Sequence, residues 1–377
     1  RPLPARYHPP SMTNLPHIGI LGSGQLARML ALAATPLGVR VSVLEKRASD
    51  TGMGWRAVLG DWDDPAAAAA FARSVDVVTL ENEFVQQAAL EAIAATGTPI
   101  YPTPDNVRLV QDKLLQKQTL AAAGLPVPAF SADLTLPLPI VLKKRRMGYD
   151  GKGNATARTP AERVEGIARL GEGLYAEAFC PFDREIAVMV TRGRAGEVVC
   201  YPVVETAQHD HICHVVQAPA DLSPALRDQA ERTARRAVEA FGGIGTWGVE
   251  MFLTRDGEIL VNEMAPRVHN SGHYTIEACA CSQFENHIRA IMGWPLGSPA
   301  LRAPAAAMVN LLGNGDGPRQ PAGLTEALAV PGAHIHLYGK DRSARGRKMG
   351  HVTALGDTPA DALATAQRAA TALRFGA

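Results

Sequence analysis

An Asp-Gly pair between two β-prone runs constrains this chain more than any other feature. Asp256-Gly257 follows the run Trp247–Leu253 and precedes the run Glu258–Glu263. In this setting Asp-Gly is a strong signal for a β-hairpin with a two-residue turn, because both turn residues need positive φ. The sequence therefore predicts two paired antiparallel strands.

A two-residue turn determines which residues face each other across this hairpin. Counting outward, the pairs are Arg255–Glu258, Leu253–Leu260, Phe252–Val261, Met251–Asn262 and Glu250–Glu263. Directly opposed carboxylates repel each other. A hard divalent cation removes this repulsion, since it binds carboxylate oxygens and keeps other positions for water and phosphate. We interpret Glu250 and Glu263 as ligands of Mg2+ (or Mn2+). Two solvated glutamates on an exposed face are the alternative.

The loop after Glu263 supports the metal interpretation. It is interrupted by Pro266, and it is dense in hydrogen-bond donors and poor in core-forming residues, with Arg267, Asn270 and two histidines, His269 and His273. Cation-binding carboxylates that lead into such a loop indicate a site for phosphate chemistry.

Composition excludes several classes of protein. A chain of 377 residues predicts two or three domains. The formal net charge of +1 argues against a surface that coats nucleic acid, and no apolar run approaches the ~18 residues that span a bilayer. The 5 cysteines form no CxxC pair, so we expect reduced thiols in a cytoplasmic protein. The Pro-rich residues 1–15 are expected to form a disordered tail.

The N-terminal part has the alternating pattern of an α/β domain with a parallel sheet. The strand Ile18–Leu21 leads through Gly22-Ser23-Gly24 into a helix at 25–37 and a second strand at 39–44, and the pattern continues to Ile100. The glycine turn is a weak dinucleotide fingerprint, with Glu45 as its acidic residue, and would hold other phosphates equally well. Glu81 and Glu83 follow a strand at the edge where such sheets bind ligands. Solvated loop acids are an equally good interpretation.

A second glycine-rich loop follows a strand that ends in cations. One helix is predicted over 105–123, and it carries Lys113 and Lys117. Most lysines in such a helix are solvated. The strand Leu138–Lys144 then runs into Arg145-Arg146-Met147 and a loop with three glycines at 148–154. Bare glycines expose backbone N–H groups and lysines neutralise charge, which suits polyphosphate. A hairpin turn with basic flanks is the alternative.

The rest of the chain predicts a strand-rich middle unit and a small final unit. Strands from Leu174 to Gln217 precede a helix at 223–241 and the hairpin, and a helix at 276–292 leads to a Pro-rich linker. The last unit has strands at 307–312 and 334–338, followed by the basic segment Gly339–Lys348. Such a segment is usually a solvated face, but here its cations could clamp an anion.

Taken in order, these motifs resemble the ATP-grasp N5-carboxyaminoimidazole ribonucleotide synthetases of purine biosynthesis. The most specific run is NEMAPRVHNSGHYTIEACACSQFENHIRAI at 262–291, with GSGQLARML at 22–30, ENEF at 81–84, RRMGYDGKGN at 145–154 and GKDRSARGRKMGH at 339–351. The resemblance implies a mixed α/β and α+β fold with a Rossmann-like domain at 16–107, an ATP-grasp domain at 108–298 and a β-rich domain at 299–377. It also implies that ATP phosphorylates bicarbonate, and that the resulting carboxyphosphate, or CO2 released from it, carboxylates 5-aminoimidazole ribonucleotide.

The resemblance also implies residue roles. Those expected to bind ATP are Lys113, Lys143, Gly148, Tyr149, Asp150, Gly151, Lys152, Gly153, Asn154, Glu177, Ala178, Phe179, Cys180, Glu185, Gln208 and Asn262. Those expected at the ribonucleotide are Gln25, Leu26, Glu83, Tyr149, Arg267, His269, Asn270, Ser271, Lys340, Arg347 and Lys348. The residues expected to be catalytic are Asp150, Arg267, His269 and Lys340. The carboxylate of Asp150 could accept a hydrogen bond from the exocyclic amine and orient it. A homodimer with only small-molecule substrates, and neither nucleic acid nor membrane as a partner, is expected.

Two departures and three alternatives remain open. The family's nucleotide-contact histidine is either replaced by Gln208 or displaced to His209, within Gln208-His209-Asp210-His211-Ile212. Asn262 is expected near the nucleotide, yet strand alternation points it away from the face of Glu263 unless a bulge intervenes. The alternatives are another ATP-grasp ligase (a formate-dependent glycinamide ribonucleotide transformylase or a biotin carboxylase), a nicotinamide-dependent oxidoreductase and a non-catalytic nucleotide-binding module.

Overall fold

The computed structural model describes residues 15–47, 55–148, 153–210 and 212–376. The tail expected at 1–15 lies outside the described residues except for Leu15, which is exposed. Four expected site residues, Tyr149, Asp150, Gly151 and Lys152, also lie outside them, as does His211.

The N-terminal unit is a five-stranded parallel sheet with the strand order β3-β2-β1-β4-β5. Its elements are β1 (His17–Leu21), α1 (Gln25–Ala34), a 3-10 turn (Thr35–Leu37), β2 (Arg40–Glu45), β3 (Arg56–Leu59), α2 (Pro65–Ala72), β4 (Val77–Leu80), α3 (Gln87–Ala95) and β5 (Ile100–Tyr101). The predicted parallel α/β sheet is confirmed. The edge strand β3 was not predicted, because the run Arg-Ala-Val-Leu is only 4 residues long and lies largely exposed.

The single helix predicted over 105–123 is wrong. The structure has two helices, α4 (Pro104–Gln111) and α5 (Lys113–Ala122), separated by Asp112 in an extended conformation. The Asp112 carboxylate accepts hydrogen bonds from the N–H groups of Leu114 and Leu115, so it caps the second helix. Its other oxygen lies 2.6 Å from Arg145 Nη2. The helix break therefore ties α5 to the start of the second glycine loop.

A small antiparallel sheet carries that loop. Its strand order is β6-β9-β7-β8, and one face is covered by α6 (Pro160–Leu170). The strands are β6 (Phe130–Ser131), β7 (Ile140–Lys144), β8 (Asn154–Ala157) and β9 (Leu174–Ala178). Because β7 and β9 are antiparallel, Val141 pairs with Glu177 near the end of β9, and Lys144 at the end of β7 pairs with Leu174 at the start of β9.

A nine-stranded sheet forms the centre of the molecule, in the order β15-β14-β10-β12-β13-β16-β18-β17, with β11 paired to β10. The strands are β10 (Phe182–Arg192), β11 (Val198–Cys200), β12 (Val204–His209), β13 (Ile212–Ala218), β14 (Gly245–Thr254), β15 (Ile259–Ala265), β16 (Ala305–Leu312), β17 (Ala333–Leu337) and β18 (Lys348–Gly356). The remaining helices are α7 (Pro224–Phe241), α8 (Thr275–Ala278), α9 (Gln283–Met292), α10 (Leu324–Leu328) and α11 (Pro359–Ala372).

Two features of the middle and C-terminal parts differ from expectation. The helix predicted at 276–292 is divided into α8 and α9, because Ser282 caps a new helix by accepting from Glu285 N–H. The C-terminal strands join the sheet directly through antiparallel pairing of β13 with β16. Hydrogen bonding is thus continuous from the hairpin to the C-terminal strands. Within the described part of the chain, no helix is long and apolar enough to cross a bilayer.

The hairpin pairs Glu250 with Glu263 as predicted, although the register near the turn is wrong by one residue. Leu253 pairs with Ile259, Phe252 with Leu260 and Met251 with Val261. The turn has three residues, since Thr254 N–H donates to Glu258 O at 2.9 Å and Gly257 takes φ +81. A bulge between Met251 and Glu250 then adds Asn262 to β15 and restores the pairing of the two glutamates.

Candidate active site

One cavity of about 1310 Å³ brings together residues of the two antiparallel sheets and residues of the first unit that lie outside its strands. The expected ATP-site residues on its wall are Lys113, Lys143, Gly148, Asn154, Glu177, Ala178, Phe179, Cys180, Glu185, Gln208, Glu250, Asn262 and Glu263. The expected ribonucleotide-site residues there are Gln25, Leu26, Glu83, Arg267, His269, Asn270, Lys340, Arg347 and Lys348. Two described candidates, Gly153 and Ser271, do not line it.

The carboxylate pair lines this cavity, with the side chains of Glu250 and Glu263 24% and 40% exposed. Burial raises the pKa of Glu250 to about 8, with further contributions from Glu263 and Glu185. Burial would also raise the pKa of Glu263, but Lys113 outweighs it and lowers that pKa, its Nζ lying 2.6 Å from Glu263 Oε2. Burial likewise raises the pKa of Glu185 to about 7. A divalent cation would relieve this repulsion, so the oxygen donors fit Mg2+.

Next to the pair, two lysines share one buried carboxylate. Lys117 Nζ lies 3.4 Å from Glu177 Oε1, and Lys143 Nζ lies 2.8 Å from Glu177 Oε2. Glu177 Oε1 also accepts from Tyr175 OH at 2.7 Å. Lys117 is 1% exposed and donates to the Val261 carbonyl at 3.0 Å, so the expectation of a solvated lysine is wrong. The spacing of four residues from Lys113 was the available signal, since it places both lysines on one face of α5.

The glycine turn before α1 is occupied by the protein's own acid. A Cβ built on Gly24 would lie 2.5 Å from both oxygens of Glu81, and Gly24 N–H and Ala27 N–H bond to that carboxylate. Ser23 donates a hydrogen bond to Glu45. The position where a dinucleotide phosphate would sit is therefore filled, which argues against the nicotinamide alternative.

Arg267 links the loop after the hairpin to the first sheet. Its Nη2 lies 3.0 Å from Glu83 Oε1, and its Nε binds the other oxygen of the same carboxylate. Burial would lower the pKa of Arg267, but Glu83 outweighs it and raises that pKa. Burial, reinforced by Arg267 and Lys348, lowers the pKa of His269 to about 3, so this imidazole is neutral at physiological pH. Glu83 therefore positions Arg267 through both of its carboxylate oxygens.

The loop is also held from the C-terminal strands. Asn270 and Asn310 on β16 exchange side-chain hydrogen bonds of 3.0 and 2.7 Å. Ser271 is buried, and its N–H lies 3.4 Å from His269 Nδ1. Gln283 holds His269 at both backbone groups, accepting from the N–H at 2.9 Å and donating to the carbonyl at 2.7 Å. Asn310 and Gln283 were missed, because their sequence positions in a strand and a helix carry no signal of this contact.

The structure also shows which residues of two ambiguous segments, Gln208–His209 and the basic segment, line the cavity. Gln208 lines the cavity and His209 does not, which settles which of the two faces it. The extra residue of the bulge brings Asn262 onto the cavity wall, where its Oδ1 lies 3.4 Å from Lys143 Nζ. Within the basic segment, Lys340, Arg347 and Lys348 line the cavity, whereas Arg342 pairs with Asp316 on the surface.

Comparison with known proteins gives matches along almost the whole chain. Three family models match in order: the ribonucleotide synthetase preATP-grasp domain at 15–111, the ATP-grasp domain at 123–284 and the phosphoribosylaminoimidazole carboxylase C-terminal domain at 306–365. An N5-carboxyaminoimidazole ribonucleotide synthase of Synechococcus elongatus is 44% identical over 351 residues, covering 89% of each chain. A chloroplastic phosphoribosylaminoimidazole carboxylase of Vigna aconitifolia is 40% identical, and the match covers 90% of this chain and 64% of that relative's length.

Solved structures agree with these matches. The N5-carboxyaminoimidazole ribonucleotide synthetase of Thermotoga maritima has a TM-score of 0.86 at 39% identity, covering 96% of this chain and 100% of that one. The enzyme of Aspergillus clavatus, solved in complex with ADP and 5-aminoimidazole ribonucleotide, has a TM-score of 0.86 at 37% identity, covering 96% of this chain and 99% of that one. Three family models in order, and relatives matched over most of both chains, show that this chain belongs to the N5-carboxyaminoimidazole ribonucleotide synthetase family of ATP-grasp ligases.

Proposed function

We propose that this chain uses ATP and bicarbonate to carboxylate the amino group of 5-aminoimidazole ribonucleotide, releasing ADP and phosphate, as a step of purine biosynthesis. The observation that carries the proposal is that one cavity is lined both by the acidic pair with Lys113 and Lys143 and by the cations Arg267, Lys340, Arg347 and Lys348. ATP and a phosphorylated ribonucleotide are both anionic, and phosphoryl transfer needs positioning and charge neutralisation rather than a protein nucleophile.

The ATP end extends from β9 to the hairpin. The stretch Glu177–Cys180 would hold the adenine through its backbone, because the Glu177 carboxylate is already bound to Lys117 and Lys143. Glu185 would accept from the ribose hydroxyls and Gln208 and Asn262 would contact the nucleotide. Lys113, Lys143 and the loop at 148–154 would bind the phosphates, with the glycines exposing backbone N–H groups.

Glu250 and Glu263 are the residues that would hold Mg2+ (or Mn2+). Bound there, the cation would neutralise charge on the transferred phosphoryl group. The raised pKa of Glu250 supports this, because it shows that the ionised carboxylate is disfavoured by burial and by neighbouring carboxylates. An added positive charge would stabilise the ionised form. Lys113 adds a fixed cation next to the same carboxylates, 2.6 Å from Glu263.

The ribonucleotide end lies where the first sheet meets the C-terminal segment. Lys340, Arg347 and Lys348 would bind the 5′-phosphate, and Gln25 and Leu26 would contact the sugar. Arg267 and the neutral His269 would stabilise the anionic carboxyphosphate in a water-poor site. Asp150, outside the described residues, would orient the exocyclic amine. The domain division at residues 107 and 298, a homodimer and a cytoplasmic location remain predictions.

ADP release from Mg-ATP tests the proposal directly, with bicarbonate and aminoimidazole ribonucleotide added separately and together. We expect release that depends on both additions. Glu263→Gln should lower kcat by about two orders of magnitude or more, because it removes a cation ligand and the partner of Lys113. Glu239→Gln, on the exposed face of α7, is the matched control and should behave as the wild type.

Two other outcomes would contradict the proposal in different ways. Turnover with bicarbonate that ignores the ribonucleotide would indicate a different acceptor, as in another ATP-grasp ligase. Absence of ADP under every condition would leave the fold in place and remove the catalytic function.

A further inference from the structure

A buried polar cluster joins the C-terminal strands to the cavity wall. Its centre is His351 on β18, which is 0% exposed. The His351 ring stacks on His336 with 4.3 Å between centroids, and it lies 5.0 Å from the ring of His273. His336 is in turn held by a 2.7 Å contact from its Nε2 to Glu277 Oε1. Rings packed on two sides fix the orientation of the His351 imidazole.

His351 is hydrogen-bonded to Tyr338, the residue that follows β17. His351 Nδ1 lies 2.9 Å from the Tyr338 hydroxyl, and Tyr338 is 6% exposed. The Tyr338 ring packs in the core of the first unit with Leu26 and Leu30 of α1. Tyr338 N–H donates to the Met349 carbonyl at 2.9 Å. Tyr338 is therefore fixed at its ring, its hydroxyl and its backbone.

Tyr338 lies at the start of the basic segment. Lys340 Nζ lies 5.9 Å from the centroid of the Tyr338 ring, within the distance at which an aromatic face attracts a cation. Gly339, between them, takes φ +68, a backbone conformation that favours glycine. Because Lys340 lines the cavity, the orientation of the Tyr338 ring bears on where its ammonium group meets a ligand.

We propose that Tyr338 and His351 are positioning residues for Lys340. The hydrogen bond between them sets the Tyr338 ring, and the ring sets the ammonium group that meets the ribonucleotide. Neither side chain lies on the cavity wall, so their effect on the reaction passes through neighbours that do line it, among which Lys340 carries the positive charge. The inference rests on the proposed role of Lys340, and it predicts a change in KM for the ribonucleotide without a matching change in KM for ATP.

Steady-state kinetics of Tyr338→Phe, Lys340→Met and the double variant test this. Tyr338→Phe keeps the ring and removes the hydroxyl, so KM for aminoimidazole ribonucleotide should rise about tenfold while KM for ATP stays within about twofold. In the Lys340→Met background the same change should have no further effect. Tyr201→Phe is the matched control, since it removes a buried hydroxyl bound to the Cys281 carbonyl at 3.0 Å and the Asn286 amide at 2.8 Å. It should leave both KM values unchanged.

The outcomes separate this inference from the proposed function. If Lys340→Met leaves KM for the ribonucleotide unchanged, the proposed role of Lys340 fails and the inference fails with it. If Lys340→Met is impaired and Tyr338→Phe is normal, the positioning role alone is overturned. Equal effects of Tyr338→Phe in both backgrounds, or equal rises in both KM values, also overturn it. His351→Phe, which keeps an aromatic ring next to His336 and removes the nitrogen bonded to the Tyr338 hydroxyl, makes the same comparison if Tyr338→Phe does not fold.

Discussion

The charge network around Glu177 shows how a single buried side chain can serve both stability and the active site. Glu177 is 2% exposed and binds two lysines, one of which, Lys143, lines the ATP end of the cavity. Burial alone would raise the pKa of Glu177, but Lys117 and Lys143 outweigh it and lower that pKa from 4.5 to about 2. Burial in turn lowers the pKa of Lys117 to about 8, against the raising effect of Glu177.

Glu177→Gln should reduce stability in a pH-dependent way. Removing one partner of a buried ion pair typically costs about 3–5 kcal/mol, because the other charge is left unpaired. A carboxyl whose pKa is lowered on folding stabilises the protein fully above its unfolded value and loses this contribution as pH falls through the folded value. The difference in unfolding free energy between wild type and variant should therefore be largest above pH 4.5 and shrink toward pH 2.

Urea unfolding between pH 3 and pH 7 measures this difference. Asp61→Asn is the control, because Asp61 forms a 3.0 Å ion pair with Lys46 on the surface, and its effect on stability should be much smaller. A constant gap between wild type and Glu177→Gln across the pH range would show that the ion pair is not its cause.

The break between α4 and α5 connects local helix chemistry to the phosphate loop. Asp112 caps α5 and holds Arg145 with both carboxylate oxygens, at 3.0 Å from Nε and 2.6 Å from Nη2. Arg145 begins the run that leads into the loop at 148–154. Asp112→Ala should lower the free energy of unfolding by about 2 kcal/mol, since it removes a cap and a buried partner of Arg145. It should also raise KM for ATP, because the loop loses this anchor.

Two comparisons distinguish these contributions. Asp112→Asn keeps a good cap and loses the charge, so it should recover part of the stability and little of the KM for ATP. Asp64→Ala removes the cap of α2, where the carboxylate accepts from Ala66 N–H at 3.0 Å, and should leave KM for ATP unchanged. A normal KM for ATP in Asp112→Ala would refute the link to the loop.

The hairpin shows how far a sequence pattern can predict this site and where it fails. Apolar runs and Asp-Gly predicted the two strands and the pairing of Glu250 with Glu263, which is confirmed. The register in between is wrong, because turn length depends on the backbone conformations of three residues and not on the Asp-Gly pair alone. The bulge at Asn262 cancels this one-residue shift in register. The extra residue that restores the glutamate pair is also the one brought to the wall of the cavity.

Contacts between units were the part that the sequence could not predict. Asn270 and the C-terminal Asn310 are 40 residues apart, and their reciprocal hydrogen bonds depend on β16 pairing with β13. Periodicity predicts that a strand exists and which face is apolar, but it carries no information on which distant strand is its neighbour. The burial of Lys117 on α5 has the same origin, since its partner Glu177 lies on β9, a strand distant in the chain.

Because hydrogen bonding is continuous from β15 to β17, the middle and C-terminal parts should unfold together. Met308 on β16 is 0% exposed and packs with Met189, Tyr201, Val216 and Tyr274 of the middle part. Met308→Ala should destabilise the protein by about 2–5 kcal/mol through loss of buried contacts and the cavity left behind. Met308→Leu should cost less than about 1.5 kcal/mol.

Hydrogen exchange measured by mass spectrometry distinguishes joint from separate unfolding. In Met308→Ala, peptides from the hairpin at 245–265 should lose protection together with peptides from β16 and β18, because all belong to one cooperative sheet. Leu328→Ala, at a position 65% exposed on α10, should change neither set. Loss of protection confined to residues after 304 would mean that the C-terminal strands open alone, and that the shared sheet does not transmit stability to the Glu250–Glu263 pair.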